Sequence, residues 1–94
     1  MPDVFRFDWD EANIGHLALH DVEPHEAEQV MFAEPVDLGY QFIDDEERWS
    51  VVGPTHAGRF LTIIVTLRNG RIRVVTAWDA TRDEEAAYWS WRGQ

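Results

Sequence analysis

Apolar residues recur at helical spacing near both ends of the chain and alternate with polar residues through its middle, the two periodicities that separate amphipathic helices from half-buried strands. A short strand is predicted over residues 4–7, running into a helix. Asp8 is the predicted N-cap, and Glu11 three residues on completes a capping box. Ile14, Leu17 and Ala18 supply that helix's apolar stripe. Asp21-Val22-Glu23-Pro24 breaks it, and Pro24 opens a second helix because proline's fixed φ suits a first turn. Ala27, Val30 and Met31 mark the buried stripe there, with Glu23, Glu26 and Glu28 placed early, where the helix dipole favours negative charge. Glu34-Pro35 ends it, since a residue before proline avoids helical geometry.

After Pro35 the period changes to two. Val36, Leu38, Tyr40 and Phe42 are predicted on one face of a strand, with Asp37, Gly39 and Gln41 on the other. An acidic turn follows at 44–47, then a strand at 48–52 and a breaker-rich loop at 53–58. The β-branched runs 60–67 and 72–78 flank Arg68-Asn69-Gly70-Arg71. Asn-Gly in that setting signals a tight hairpin, because both turn residues need positive φ. A two-residue loop sets Arg68 opposite Arg71, Leu67 opposite Ile72, Thr66 opposite Arg73 and Val65 opposite Val74. One face then carries Leu61, Ile63, Val65, Leu67, Ile72, Val74 and Trp78 as core. The other carries Thr66, Arg68, Arg71 and Arg73, grading to Ile64, Val75 and Ala77. Thr81 and Glu84 cap a last helix whose stripe is Ala87, Tyr88 and Trp91. The predicted fold is α+β, a single domain over residues 1–94. It has two helices, an antiparallel sheet of three to four strands and a C-terminal helix, packed in two layers.

Charge changes the picture. Eighteen acids face eight basic residues, all of them Arg, for a formal −10. Averaged over the chain, this argues against nucleic acid, because phosphate binding rests on cations. The average conceals a partition. Residues 1–47 hold fourteen acids against Arg6, whereas residues 48–78 hold no acid and five arginines: Arg48, Arg59, Arg68, Arg71 and Arg73. The absence of Cys removes disulfides, thiolate metal ligands and cysteine nucleophiles. No apolar run approaches the roughly 20 residues that span a bilayer, and the start of the chain lacks a signal-peptide pattern. A cytoplasmic protein without a membrane partner is expected.

Arg71 and Arg73, two apart on a strand, project on one face with Arg59 and Arg68 nearby, an arrangement able to grip phosphate through forked donors. The same arginines would equally serve to neutralise the acidic helices or to solvate a sheet edge. Asn13, His16 and His20 lie along one stripe of the first helix. Histidines at i, i+4 occur in metal sites, but no third ligand accompanies them, so neither a metal nor another cofactor is expected. An imidazole titrating near neutrality suits acid–base work. Glycine-rich phosphate loops, hydrolase elbows and helical zinc-protease motifs are missing.

Trp9-Asp10-Glu11-Ala12-Asn13-Ile14, His20, Val22 and Glu26-Ala27-Glu28, followed by Gly58-Arg59, Thr66 to Ala77, Ala80-Thr81 and Tyr88, resemble the BrnT-like toxin family in order over nearly the whole chain. The resemblance implies a RelE-like fold and a ribonuclease toxin of a type II toxin–antitoxin pair. It also implies a heteromeric complex with a BrnA-like antitoxin that binds DNA and masks the toxin. On that reading Arg59, Arg71 and Arg73 hold the scissile phosphate of an RNA substrate without metal. His20 or His16 is the acid–base group, and Arg48, Arg68 and Arg82 are further RNA contacts. The chain departs from the family pattern at Leu19, at Asp21 in place of a helix-capping Gly, and in an acidic last helix, Arg82-Asp83-Glu84-Glu85. Those departures motivate a second reading, a toxin-fold protein that has lost cleavage and serves as a binding module.

Overall fold

Residues 60–79 fold back about Asn69-Gly70, whose φ values of 54° and 75° are the positive pair that a two-residue hairpin loop demands. The computed structural model describes residues 6–93. It arranges them as α1 (Glu11–Ala18), α2 (Pro24–Phe32), β1 (Val36–Ile43), β2 (Glu46–Pro54), β3 (Phe60–Arg68), β4 (Arg71–Asp79) and α3 (Arg82–Arg92). The four strands form one antiparallel sheet in the order β1-β2-β3-β4, so the fold is α+β. No helix among the described residues is long and apolar enough to cross a membrane.

The four predicted pairs at the hairpin all form, from Arg68–Arg71 to Val65–Val74. Beyond them the register shifts by one residue, so that Ile64 meets Thr76 and Ile63 meets Ala77. An extra residue in one strand turns every later side chain over. Ala77, expected outside, is therefore buried in the core. Trp78, expected inside, pairs with Thr62 on the other face, where its indole Nε1 donates to Glu84 Oε1 at 3.2 Å. A second shift between Asp37 and Gly39 does the same to β1. Val36 and Leu38 pack together with Val52 and Tyr88, but Tyr40 comes to lie opposite Trp49 and Phe42 opposite Glu47. The predicted single apolar face of this strand is thus split between the two sides of the sheet.

Both faces are covered by helices, which makes three layers rather than the two expected. On one face Leu17, Val22, Ala27 and Val30 of the α1–α2 region close over Leu61, Ile63, Val65, Val74 and Ala77. On the other, Tyr88 of α3 packs with Val36 and Val52, its ring edge-on to Phe60 at 5.2 Å. Alternation along β3 serves both layers at once, because Leu61 and Ile63 face α1 and α2 while Thr62 donates its hydroxyl to Glu84 Oε1 of α3 at 2.7 Å. Ala87 is half-buried as predicted, whereas Trp91 is exposed.

Caps fix the helix ends. Thr81 and Glu84 form the predicted box. At α1 the cap is Asp10, not Asp8, and its partner is Asn13, not Glu11. The reason is that the chain is still extended at Asp8, whose backbone N–H donates to Ile72 O. Of the strand predicted at 4–7, Phe7 forms a parallel bridge with Ile72, and residues 4 and 5 lie outside the described part. Asn13, read from the sequence as one member of a polar stripe, is buried. Its Oδ1 accepts from Asp10 N, and its Nδ2 donates to Asp8 O at 2.8 Å and to Val74 O at 3.1 Å. One amide thus ties the α1 cap, the N-terminal segment and β4 together.

Replacing Asn13 by Ala removes those bonds and strands the buried Val74 carbonyl. Urea unfolding of Asn13→Ala is expected to show a loss of about 2–4 kcal/mol. A loss below about 0.5 kcal/mol would mean that the amide joins nothing of consequence.

Candidate functional site

Folding distributes the sequence's candidate residues over three separate positions. The first lies where β3 begins. Gly58, at φ 87°, leads the chain out of the loop into Arg59. The Arg59 guanidinium then donates from Nε to Asp79 Oδ1 at 2.7 Å, from Nη1 to Asp21 O at 2.8 Å and Glu26 Oε1 at 3.2 Å, and from Nη2 to His20 O at 3.2 Å. Asp21 takes φ 57°, so an aspartate fills the left-handed position that a cap glycine would hold. The Asp79 carboxylate raises the Arg59 pKa, opposed by burial. Arg59 in turn holds Asp79 below the ordinary carboxylate range, with a small contribution from the His20 imidazole. His16 and His20 are exposed on α1 and on the turn after it.

The second position is at Arg73, 8% exposed. Its Nη2 donates to Asp10 Oδ1 at 3.1 Å, and Nη1 lies 3.0 Å from Asp10 Oδ2 and 3.6 Å from Asp8 Oδ2. Nη1 is buried without an aligned hydrogen bond, so Coulomb attraction rather than a directed bond holds it. Arg73 pulls the Asp10 carboxyl below its usual range, helped by the Asn13 backbone N–H. Both clusters set one guanidinium against two carboxylates, and a phosphate approaching either meets net negative charge.

The third position is the tip of the β3–β4 hairpin. Arg68 and Arg71 face each other across Asn69-Gly70 and are exposed. Neither has an ion-pair partner among the described residues. Like charges directly opposed on paired strands are destabilising, so this pair is kept against a folding cost. With Asn69 and Asp8 the two arginines line a surface cavity of about 300 Å³. From the sequence Asp8 reads only as a cap; its place beside the hairpin depends on the N-terminal segment running along β4, which no local pattern reveals.

The five residues offered as one catalytic set therefore do not converge. His20 and Arg59 sit beside Asp79, at the far end of β4 from Arg71, and eight residue steps of strand at about 3.3 Å each put roughly 25 Å between them. Arg48 is paired with Glu46 at 3.0 Å, and Arg82 is exposed in the first turn of α3, the helix on the opposite face of the sheet from α1 and α2. Among the described residues no three His, Asp or Glu side chains are grouped to hold a metal ion.

Two outcomes follow for the Arg59 cluster. Arg59→Ala is expected to cost about 1–3 kcal/mol, because it releases α2, β4 and the turn after α1 together; thermal unfolding measures this. Asp79's folded-state pKa is depressed, so the stability it contributes is present above its unfolded value of about 4 and lost as pH falls through the folded one. Asp79→Asn should therefore be less stable than the parent at neutral pH, with the difference shrinking as pH falls below about 4 in urea titrations. A difference that persists at low pH would deny the charge-based coupling.

The sequence from residue 9 to residue 84 matches the family model described as ribonuclease toxin, BrnT, of type II toxin–antitoxin system. No curated protein matches the chain. The match runs from Trp9, just before the α1 cap, through the whole sheet to Glu84 in the first turn of α3. The chain belongs to the BrnT family of ribonuclease toxins of type II toxin–antitoxin systems.

Proposed function

We propose that this chain is a cytoplasmic toxin that engages RNA at the β3–β4 hairpin, cleaves it without a metal ion and is neutralised by a BrnA-like antitoxin in a heteromeric complex. One observation carries the RNA contact: Arg68 and Arg71 face each other with no ion-pair partner among the described residues, in a chain whose acids outnumber its arginines. Two adjacent guanidinium groups present forked donors to successive non-bridging oxygens of a phosphodiester. The Asp8 carboxylate lines the same cavity with the Arg73 guanidinium 3.6 Å behind it, in position to accept the proton of a ribose 2′-hydroxyl. The 2′-oxygen then bonds to phosphorus, the bond to the 5′-oxygen breaks, and that oxygen takes a proton from water. Arg68 and Arg71 steady the charge that builds on the phosphorus oxygens. Arg59 and Arg73 act on this reading as structural cations, and neither His16 nor His20 takes part.

A second reading, a binding module that no longer cuts, is favoured by the two carboxylate-closed clusters, which leave little cationic surface for RNA.

Cleavage of a labelled single-stranded RNA in excess chelator separates the two. The parent should cut, Asp8→Asn should bind and not cut, and Arg68→Ala/Arg71→Ala should lower RNA affinity at least tenfold. The double variant should also flatten the salt dependence by about 1.4, near 0.7 for each phosphate of a single strand that is no longer neutralised. His20→Ala should leave cleavage unchanged. A parent that binds no RNA, or whose cutting requires His20, would remove the proposal.

A further inference from the structure

The shift in β1 leaves the strand-tip half of one sheet face uncovered by the helices of the described residues. Tyr40, Trp49, Val65 and Val74 form a cross-strand row on the α1–α2 side. Phe42 and, on the neighbouring hairpin, Leu67 with Ile72 lie two residues farther out on the same face. The helices cover the inner end of this face but stop short of the strand tips, where Tyr40 is 54% exposed, Phe42 62% and Leu67 59%. Phe32 at the end of α2 is also exposed, at 58%. Between α2 and the tips runs an apolar groove of about 290 Å³, floored by Met31, Trp49, Leu67 and Ile72. Apolar side chains exposed as a contiguous group, unlike single scattered ones, mark a surface that another molecule covers.

We propose that this bare half-face is the docking surface for a basic amphipathic helix of a partner protein. The proposal deepens the partner half of the function above and rests on it, but does not depend on RNA cleavage. Three physical points select the occupant. The strands here are paired within the sheet, so the face offers no free backbone groups. A segment lying on it must satisfy its own backbone hydrogen bonds, and that means a helix. Crossing four strands at about 4.8 Å spacing takes roughly 14 Å, or about ten helical residues. The rim is acidic on its β1–β2 side, with Asp37 in the groove wall and Asp44, Asp45, Glu46 and Glu47 beside Phe42 and Leu67, while Arg68 and Arg71 stand at the β3–β4 corner. Lysines or arginines flanking the apolar stripe of the incoming helix meet that rim, which steers association and discriminates against acidic partners. A second copy of this chain would bring the same acidic rim and a further −10, so repulsion opposes self-pairing there.

The test uses a 16-residue synthetic helical peptide with Leu at i, i+3, i+4 and i+7 spacing and Lys elsewhere. A scrambled peptide of equal composition and a counterpart with Glu for Lys serve as comparisons. Binding to the full chain is followed by calorimetry and by tryptophan fluorescence. The basic amphipathic peptide should bind in the micromolar range. Phe42→Ser/Leu67→Ser should weaken it at least tenfold with the circular dichroism of the parent retained, and Leu19→Ser, exposed on the turn after α1, should not. No binding, equal binding of the scrambled peptide, or equal binding of the acidic counterpart would overturn the proposal. So would a parent dimer in sedimentation that the double variant abolishes, since the face would then be filled by a second copy. RNA binding measured on the same variants keeps the two readings apart. A double serine variant that holds RNA but loses the peptide confirms the helix site on its own terms, and Arg68→Ala/Arg71→Ala should lose RNA and keep the peptide.

Discussion

Carboxylates are so abundant in this chain that folding pairs Arg48, Arg59, Arg73 and Arg92 with them, and that pairing sets both the architecture and the surface potential. The Arg59 guanidinium is held by Asp79, Glu26 and two carbonyls, so a single side chain fastens β3 to β4, to α2 and to the turn that follows α1. Arg73 performs the corresponding task at the other end of β4, where Asp10 and Asp8 hold the N-terminal segment against the sheet edge. Partly buried charge pairs of this kind are costly to break, since removing one member leaves its partner desolvated and uncompensated. They also leave the cation unavailable. An arginine that already has two carboxylates offers a phosphate little, so Arg68 and Arg71 at the hairpin tip, with no ion-pair partner among the described residues, stand out electrostatically.

Local patterns in the sequence carry a large part of this fold. Asn69-Gly70 determines the hairpin and its register, Thr81 and Glu84 determine where α3 begins, and Pro24 and Pro35 bracket α2. Each depends on residues within a few positions of one another, so alternation and capping rules suffice. The two register shifts are different in kind. Nothing in the run around Val75 or at Leu38 announces an extra residue, because β-branched and apolar side chains satisfy either face there. The choice is made by what packs above and below: a small Ala77 fits beneath α1 and α2, and Trp78 finds Glu84 on the other side. The assignment of Tyr40 and Phe42 fails for the same reason.

The candidate site is legible in part. The opposed arginines of the hairpin follow from the turn alone, and both are exposed. Strand spacing suggests one site for Arg71 and Arg73 with Arg59 and Arg68 nearby, and the family resemblance adds the histidines to it. That reading overlooks the length of β4, which carries Arg71 and Asp79 at its opposite ends. Asp8 is invisible as a site residue because its position depends on a parallel contact between the N-terminal segment and β4, residues more than sixty positions apart in the chain. Membership of the BrnT toxin family and the geometry then divide the work. The family supplies ribonuclease and antitoxin as a class, and the proposed places for a polyanion and a basic partner on this particular chain rest on the distribution of paired and unpaired charge.

Free cationic charge resides at the hairpin tip, while Arg59 and Arg73 are occupied internally. The most direct measurement of this division follows the guanidinium Nε–H resonances of all four arginines by nitrogen-15 NMR as a short RNA is titrated in. The account predicts shifts for Arg68 and Arg71, with Arg59 and Arg73 unmoved and slow to exchange with solvent. Movement of Arg59 or Arg73 while the hairpin pair stays still would contradict it.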